Sequence, residues 1–379
     1  MSVLCTLTNG WIISHDHFIR TVYETVQGIP NKSFAFDSSL FQINTPFVRS
    51  LCVSKNNPVA EINCSASPPR KRRKKRRKGT EIVNMKDVAN VQKYAASVIE
   101  EVTKLEYFSY VPTSSDRERN NAAAQDKAHS FYLSYPVSAA LRLHGENSLS
   151  QGLITQVNCE NYLVPAECKF FSYDVNEIEH KLHLLSCPYD LVLLDPPWWN
   201  KYIRRKKAKC ARAGYQMMYS MDLMKIPVAN LTAPGSLVAV WCTNSDSHLT
   251  CLCTEVFPAW DIEYVGKWFW LKVTRGGEPV CQFSEPPGKQ PFEQIVFGYK
   301  KGGKRKQPLP EPGRVILSVP SAIHSHKPPL SDVLAPYLPT NPRCMEIFAR
   351  YLLPGWTSWG CEVLKLQHLS LYADRDDDT

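Results

Sequence analysis

The sequence predicts an α/β fold, and three features of its second half carry the prediction. Short apolar segments alternate with polar or helical segments from about residue 150 onward, as expected for a sheet with helices on both faces. Residues Tyr189 to Leu194 read YDLVLL, a continuous apolar run that is typical of a buried parallel strand. Asp195, two prolines and Trp198 follow directly. The carboxyl end of such a strand is where open α/β sheets bind ligands, so we expect the functional site there.

Other segments extend this picture along the chain. The apolar spacing from Thr80 to Tyr107 predicts a helix. Residues 112–128 are polar and are expected to form an exposed loop, whereas the alternation between Ser33 and Val53 indicates short strands. Further strands are predicted at residues 235–241, 262–270, 294–297, 314–319 and 344–348, with a short helix at 331–337.

Composition excludes several classes of protein. The chain has 379 residues, enough for one large domain with accessory parts or for two domains. Its 13 cysteines include no CxxC pair, so we expect neither a disulfide framework nor a zinc site. No apolar stretch approaches the roughly 20 residues of a membrane helix, and the N-terminus lacks the pattern of a signal peptide. We therefore expect a soluble, intracellular protein without a membrane partner.

The segment DPPW at residues 195–198 is the strongest chemical motif. Two prolines cannot donate amide hydrogens to a sheet, so the strand must end there. Their restricted φ angles fix the directions of the Asp195 and Pro196 carbonyls. The motif thus combines a carboxylate, a rigid main-chain acceptor and a large aromatic ring. The alternative interpretation is a simple turn in which the aspartate acts as a turn former.

Such a cluster suits an aromatic amine such as that of adenine. The exocyclic nitrogen is conjugated with the ring and is a poor nucleophile. Two acceptors can each take one of its hydrogens and turn its lone pair towards an incoming methyl group, so that positioning supplies much of the rate. Trp198 can stack on the base or form a wall of its pocket. We therefore expect Asp195, Pro196, Pro197 and Trp198 to be the catalytic residues.

The DPPW motif after an apolar strand resembles the DPPW family of nucleic-acid adenine N(6)-methyltransferases, which includes the messenger-RNA N(6)-methyladenosine writer. Further segments resemble this family in the expected order: KWFWLKVTRGGE at 267–278, SVPSAIHSHKPPL at 318–330, MEIFAR at 345–350 and PGWTSWGCEVLKLQH at 354–368. The resemblance implies a Rossmann-like S-adenosylmethionine-dependent methyltransferase with permuted motif order, plus an N-terminal accessory region. The permutation explains why the chain has no GxGxxG loop.

The resemblance also implies a cofactor site for S-adenosyl-L-methionine. Asp174 and Val175 correspond to the pair that borders the cofactor adenine, with an ordinary surface loop as the alternative. Lys327 corresponds to the lysine that meets the methionine carboxylate through a charge-assisted bond; the alternative is a solvated lysine. Arg350, reinforced by Glu346, is expected to line the cofactor, beside Asp195. No metal is expected, because His324 and His326 lack further ligands.

One position departs from the family. Its members carry asparagine after TSWG, where the amide contacts the cofactor ribose, whereas this chain has Cys361 followed by Glu362. A thiol is a poor hydrogen-bonding partner. Either Glu362 takes over the ribose contact, or the cofactor binds more weakly. In the loop after DPPW, Asn200, Lys201 and Tyr215 are candidates for binding the target nucleotide, with a plain surface loop as the alternative.

Charge is concentrated in one segment. Arg70 to Lys78 reads RKRRKKRRK and accounts for the whole formal net charge of +9. This run is predicted to be a disordered linker, which can serve as a nuclear-import signal, as an arm that binds nucleic-acid phosphates, or as a solubilising spacer. We expect a nuclear protein, with a cytoplasmic pool left open, whose partners are RNA and the import machinery. A monomer is compatible with the sequence.

The resemblance implies methylation of small nuclear RNA at N(6) of 2′-O-methyladenosine, with DNA adenine methylation as an alternative. A different class is a catalytically inactive partner subunit that binds nucleic acid; the intact DPPW motif favours an enzyme. The predicted parts of the chain are an N-terminal accessory region (1–66), a basic linker (67–80), a helical middle region (81–150), a methyltransferase domain (151–370) and an acidic tail (371–379).

Overall fold

The computed structural model describes residues 1–29, 32–47, 81–102, 106–135, 141–198, 218–285, 288–303 and 305–374. Its strands are β1 (Val3–Leu7), β2 (Gly10–Ile13), β3 (Phe34–Phe36), β4 (Leu143–Asn147), β5 (Leu153–Val157), β6 (Glu160–Val164), β7 (Cys168–Ser172), β8 (Tyr189–Leu194), β9 (Thr232–Cys242), β10 (Ile262–Lys272), β11 (Phe292–Lys300), β12 (Val315–Ser318), β13 (Cys344–Ile347), β14 (Trp356–Trp359) and β15 (Tyr372–Asp374).

Helices connect these strands. The α-helices are α1 (His15–Val22), α2 (Glu81–Val102), α3 (Ser114–Arg119), α4 (Ala122–Ser134), α5 (Ser220–Met224), α6 (Val228–Leu231), α7 (Asp246–Cys251), α8 (Phe257–Ala259) and α9 (Ser331–Leu334). A π-helical turn at Leu252–Val256 joins α7 to α8. Turns of 3₁₀-helix lie at Ser38–Phe41, Glu106–Phe108, Val175–Glu177, Glu179–Leu184, Ala335–Tyr337, Lys365–Gln367 and Leu369–Leu371.

An 11-stranded sheet organises the described part of the chain, in the order β1-β2-β12-β10-β11-β9-β8-β13-β14-β7-β4. Strands β9, β8, β13, β14 and β7 are all parallel. Strand β11 runs antiparallel to both of its neighbours, β9 and β10. The mixed α/β sheet, with its run of parallel strands, is Rossmann-like, as expected. Strand β8 lies beside β13 although β13 comes about 150 residues later in the chain, which is the permuted order implied by the motifs.

Strand β8 is buried on both faces, which explains its unbroken apolar sequence. Leu191 and Leu193 face one core, to which Phe18 of α1 and Val333 of α9 contribute. The next side chain along the strand, Val192, faces a second core, formed with residues of α5, α6 and the α7–α8 segment. The predicted strand at 189–194 is confirmed to the residue. Its carboxyl end therefore opens at the edge of a sheet covered on both sides.

Most predicted elements of the α/β region are present. The strands predicted at 235–241, 262–270, 294–297, 314–319 and 344–348 are β9 to β13, with ends that differ by up to about three residues. The helix predicted at 80–107 is α2 at Glu81–Val102, followed by a 3₁₀ turn. Residues 331–337 form α9 and a further 3₁₀ turn.

The prediction of an exposed loop at residues 112–128 is wrong. Helix α3 begins after Thr113, whose hydroxyl accepts from the Asp116 N–H while the Asp116 carboxylate accepts from the Thr113 N–H. This reciprocal capping stabilises a helix start in a segment without an apolar face. Helix α4 then buries Ala124, Ala128 and Phe131. Alanines four residues apart are typical of a helix, but the charged residues that flank them hid this pattern in the sequence.

The N-terminal residues extend the main sheet. Strand β2 pairs in parallel with β12, with Ile12 opposite Leu317, and β1 forms the outer edge. Strand β3 pairs instead with β15 near the other end of the chain. The division of the chain into five parts stays a prediction, with residues 48–80 outside the described residues. None of the helices in the described ranges is long and apolar enough to cross a membrane.

Candidate active site

Asp195 begins the loop that follows β8, and its side chain is buried. The residue is 7% exposed, and its N–H donates to the Ile347 carbonyl at 3.2 Å as the last contact of the parallel ladder. Pro196 and Pro197 then end the strand, since neither can donate to a neighbour. The carboxylate is thereby held at the carboxyl edge of the central strands.

Two cations contact the Asp195 carboxylate. Arg350 Nη1 donates to Asp195 Oδ2 at 2.6 Å, and Lys327 Nζ lies 3.4 Å from Asp195 Oδ1. Lys327 also donates to Glu293 Oε2 at 2.7 Å, and Lys272 forms an ion pair with the same glutamate. A chain of alternating charges therefore runs from β10 and β11 across to β8 and β13.

Burial and this alternation set the pKa values of the network. Burial alone would lower the pKa of Lys327, but Asp195 and Glu293 raise it above its usual value, so the ammonium is retained. Burial would raise the pKa of Glu293, but Lys272 and Lys327 hold it well below its usual value. Glu346 differs from both: burial and then the nearby Asp195 raise its pKa to about 8. Glu346 is thus mostly protonated at neutral pH.

Trp198 forms a wall of the site. Its Nε1–H donates to the Trp241 carbonyl at 2.7 Å, and the His248 ring stacks on it with centroids 5.1 Å apart. The Trp198 N–H donates to the Pro196 carbonyl at 2.8 Å, so that acceptor retains one free lone pair. Only 7% of the Trp198 surface is exposed, so the residue acts here as a packed wall. Little of its ring is free for the other role expected for it, stacking on a base.

A cavity of about 510 Å³ is lined by Asp195, Pro196, Trp198, Lys327 and Arg350, among other residues. Parts of the chain that are distant in sequence complete it. They are Phe47, Gln125, Trp241, Asn244, Trp270, Lys272, Lys289, Phe292, Glu293 and the loop 320–327. The volume and the mixture of aromatic and polar groups are those of a small-molecule or nucleotide pocket.

Arg350 links this cavity to a second one. Its Nε lies 3.6 Å from Glu362 Oε2, and Lys365 donates to the other oxygen of Glu362 at 2.6 Å. Glu362 and Cys361 line a neighbouring cavity of about 250 Å³, together with Ser172. Because Arg350 lines the first cavity and Glu362 lines the second, the ion pair that they form lies between the two cavities.

Cys361 does not leave its thiol free. Its Sγ donates to the Tyr173 carbonyl at 3.8 Å. Burial, and after it the carboxylates of Asp174 and Glu362, raise the pKa of the thiol to about 11. The side chain is therefore neutral at physiological pH, while the adjacent Glu362 offers the stronger acceptor in this region.

Asp174 and Val175 follow β7 at the same edge of the sheet. The Asp174 side chain accepts from the Asn176 N–H at 2.9 Å, and its carbonyl accepts from Trp359 Nε1 at 3.1 Å. Val175 is 6% exposed and belongs to the hydrophobic core. The structure thus brings Asp174 and Cys361 to the carboxyl ends of neighbouring strands, β7 and β14.

The residues at this edge fit the groups of S-adenosylmethionine. Glu346 Oε2 is buried without a hydrogen-bonding partner among the described residues, and a buried polar atom of this kind is one that a group from outside the chain can satisfy. Carboxylates suit a sulfonium and an ammonium group, Lys327 and Arg350 suit a carboxylate, and Glu362 suits ribose hydroxyls.

His324 and His326 belong to the loop that lines the cavity of about 510 Å³. His326 is buried, and its ring packs edge-on against the His15 ring at 5.2 Å; burial lowers its pKa to about 4. His324 is exposed, and its carbonyl accepts from the Tyr132 hydroxyl. Asn200, Lys201 and Tyr215 lie outside the described residues, as does the basic run at 70–78. Their roles stay predictions.

Sequence reasoning missed Glu293, Lys272, Phe47 and Gln125. Glu293 is the second residue of β11, and it reaches this edge only because β11 is antiparallel and starts where its neighbours end. Lys272 ends β10 within a segment that the family resemblance already contained, so its place could have been inferred. Phe47 and Gln125 come from regions without a chemical motif.

Comparisons with known proteins identify the family of the chain. The family model MT-A70 matches residues 189–362, the span that runs from β8 through Glu362. The chain is 34% identical to the N(6)-adenine-specific methyltransferase METTL4 of Homo sapiens over 241 residues, which is 61% of this chain and 49% of that protein. The chain therefore spans about half the length of this relative.

The names of two further relatives give different substrates, RNA for one and DNA for the other. The N6-methyladenosine RNA methyltransferase MTA1 of Cryphonectria parasitica is 36% identical over 60% of this chain and 68% of its own length. The DNA N6-methyl methyltransferase of Caenorhabditis elegans is 36% identical over 57% of each chain. Within the family the motifs resemble one branch, methyltransferase-like protein 4, and the human relative confirms that prediction.

Proposed function

The chain belongs to the MT-A70 family, and we propose that it transfers the methyl group of S-adenosylmethionine to N(6) of adenine in nucleic acid. One observation carries the proposal. A buried carboxylate, Asp195, stands at the carboxyl end of β8 in a cavity of about 510 Å³, with two cations at its oxygens and Trp198 beside it. The motif and its surroundings together supply an acceptor, a binding volume and an aromatic wall.

We assign to Asp195 the binding of the substrate amine. A carboxylate has about four lone-pair sites, so its oxygens can accept an N–H in addition to their contacts with Arg350 and Lys327. The remaining lone pair of the Pro196 carbonyl can accept the second hydrogen. Both acceptors orient the nitrogen lone pair, and alignment of this kind can supply a large part of a rate acceleration. The cofactor, when bound, supplies an electrophilic methyl group.

We assign the cofactor site to the same edge of the sheet. Arg350 and Lys327 would hold the methionine carboxylate, and Glu362 with Cys361 would face the ribose. Asp174 and Val175 would border the adenine, with Val175 contributing an apolar surface from the core. The acceptor strength of Glu362 supports its taking over the contact that asparagine makes in relatives, since the Cys361 thiol already donates to a main-chain carbonyl.

For the substrate we propose RNA, and within it a 2′-O-methyladenosine of small nuclear RNA. The motif resemblance to the methyltransferase-like protein 4 branch supports this choice, and the name of the fungal relative supports RNA. DNA is the second candidate, favoured by the name of the nematode relative. We also propose that the protein works in the nucleus, on the strength of the basic run Arg70 to Lys78; Asn200, Lys201 and Tyr215 remain proposed contacts to the target nucleotide.

Mass spectrometry of nucleosides tests the proposal. Purified protein is incubated with labelled S-adenosylmethionine and with matched RNA and DNA oligonucleotides, with and without a 2′-O-methyl group on the adenosine. We expect label in N(6)-methylated adenosine, most strongly from the 2′-O-methylated RNA. Label from DNA alone would establish the second candidate. Cofactor binding without product on any oligonucleotide would identify an inactive partner subunit.

A further inference from the structure

Among the phenylalanine and tryptophan rings that line the cavity of about 510 Å³ in the described residues, Phe47 is the least buried. Trp198, Trp241, Trp270 and Phe292 are between 2% and 7% exposed. His248 covers Trp198, and the Lys272 ammonium lies 4.4 Å from the Trp270 ring centroid. Phe47 lines the same cavity and is only partly buried. A nucleobase that enters this cavity can therefore stack on Phe47 more readily than on the other rings.

The chain fixes Phe47 at both its backbone and its ring. The Phe47 N–H donates to the Val280 carbonyl at 2.7 Å. Its ring packs against the hydrophobic cluster that contains Val280 and Phe292. Lys289 Nζ lies 5.8 Å from the ring centroid and lines the same cavity. An aromatic face beside a lysine is the combination with which proteins bind a base and its phosphate.

Two asparagines hold the segment that leads to Phe47. Asn121 Oδ1 accepts from the Asn44 and Thr45 N–H groups at 2.8 and 3.1 Å, and its Nδ2 donates to the Thr45 carbonyl at 2.8 Å. Asn120 Nδ2 donates to the Pro46 carbonyl at 2.8 Å. Both asparagines have left-handed backbone conformations, with φ of 42° and 63°, which this residue type tolerates better than most.

Contacts of Asn44 and Ile43 tie this segment to α3 and to the residues that follow β10. Asn44 Nδ2 donates to Asp116 Oδ1 at 2.8 Å, and the Arg275 N–H donates to the preceding carbonyl, that of Ile43. The Arg275 guanidinium in turn lies 4.4 Å from the Tyr110 ring centroid. Segments at 43–47, 110–121 and 275–280 thus contact one another, and of these only residues 275–278 belong to a family motif.

We propose that Phe47 is a substrate-binding residue that stacks on a nucleobase of the nucleic-acid strand, and that the Asn120–Asn121 pair is the device that presents it. This inference rests on the proposed function for the identity of the strand. It gives residues 32–47 and helices α3 and α4 a role in substrate binding that the methyltransferase motifs do not contain. The stacking is tolerant of base identity, because every base has a π-face.

Kinetics of Phe47 variants test the proposal. Phe47→Ala should raise the KM for the oligonucleotide about ten- to a hundredfold, the loss expected for one base stack, with kcat and the affinity for S-adenosylmethionine nearly unchanged. Phe47→Trp should restore a low KM. Phe283→Ala is the matched control, because Phe283 packs against the same cluster but does not line the cavity. An unchanged KM in Phe47→Ala, or an equal rise in the control, would overturn the proposal.

A second measurement does not depend on methyl transfer. Oligonucleotides with 2-aminopurine at the target position or at either neighbour are bound to each variant, and their fluorescence is recorded, since stacking quenches this base. At one of these positions the bound probe should be dimmer with wild type than with Phe47→Ala. Equal emission at every position would contradict stacking. If wild type binds the strand without methylating it, the proposed function fails while this measurement still decides the role of Phe47.

Discussion

Arg350 Nη1 donates to Asp195 Oδ2 at 2.6 Å, and this ion pair joins the two halves of the site. Asp195 follows β8 and Arg350 follows β13, which lie side by side in the sheet. Both side chains are largely buried, with 9% and 12% of their surfaces exposed. Removing one partner of such a pair leaves the other buried charge with only its weaker ionic contact, so a substitution at either residue affects both. The pair also brings Asp195, the proposed acceptor for the substrate amine, into direct contact with Arg350, a proposed cofactor-binding residue.

Glu346 should make stability depend on pH. Its pKa is raised from 4.5 to about 8 in the folded protein, so the unfolded chain loses this proton first and stability falls as pH rises from about 4.5 to 8. Glu346→Gln cannot ionise and should escape this loss. The Tm of the variant relative to wild type should therefore increase steadily between pH 5 and pH 8. A constant difference in Tm across that range would show that Glu346 titrates normally.

Lys327 should contribute to cofactor binding. Lys327→Ala removes a charge-assisted contact worth roughly 1.5–3 kcal/mol, so we expect S-adenosylmethionine to bind about ten- to a hundredfold more weakly by calorimetry. Lys289→Ala, at the same cavity but without a contact to Asp195, serves as the control. Unchanged affinity would remove Lys327 from the cofactor site and leave it as the counter-ion of Asp195 and Glu293.

The basic run should govern location more than catalysis. Replacing Arg70 to Lys78 with glycine and serine should leave the protein in the cytoplasm, as fluorescence microscopy would show, while methyl transfer to a short oligonucleotide stays nearly intact. If the run instead binds phosphates, the salt dependence of nucleic-acid binding should become shallower in the variant. If neither the location nor the salt dependence changes, the run serves only as a solubilising linker.

Asn121 should be important for stability. Asn121→Ala loses three hydrogen bonds to the backbone of Asn44 and Thr45 and forces alanine into a left-handed conformation, so unfolding should become easier by roughly 2–4 kcal/mol. Asn121→Gly loses the same bonds without the backbone strain and should be less destabilised. Thermal unfolding of the two variants measures both effects. Equal stability of Asn121→Ala and wild type would show that the segment is held by other contacts.

Sequence patterns were sufficient where one physical signal dominates. The apolar run of β8 and the prolines after it fix both a buried strand and its end, and they located Asp195 correctly. Residues that follow a parallel strand could also be placed at the same edge, as Arg350 after β13 illustrates. For Lys327 and Glu362 the family resemblance was needed, because nothing in their local sequence separates them from ordinary surface charges.

Other parts of the site depend on long-range packing. Glu293 reaches Lys327 only because β11 runs antiparallel to its neighbours. The nine-residue apolar sequence of β11 does not reveal in which direction the strand runs within the sheet. Phe47 reaches the cavity because Asn121, 74 residues later in the chain, bonds to the backbone just before it. The helices α3 and α4 were mistaken for a loop because capping and alanine spacing outweighed the polar composition.

The turnover of Asp195→Asn tests the central claim most directly. The substitution preserves the size of the side chain but replaces an acceptor oxygen with an amide donor, and it removes the partner charge of Arg350. Single-turnover methylation of an adenosine-containing RNA should fall by roughly a thousandfold or more, since one positioned electrostatic contact is commonly worth 10²–10³ in rate. S-adenosylmethionine affinity, measured on the same preparations, should change far less. Near-normal turnover would contradict the proposed role of Asp195 in binding the adenine amine, and loss of turnover together with loss of cofactor binding would move Asp195 to the cofactor site.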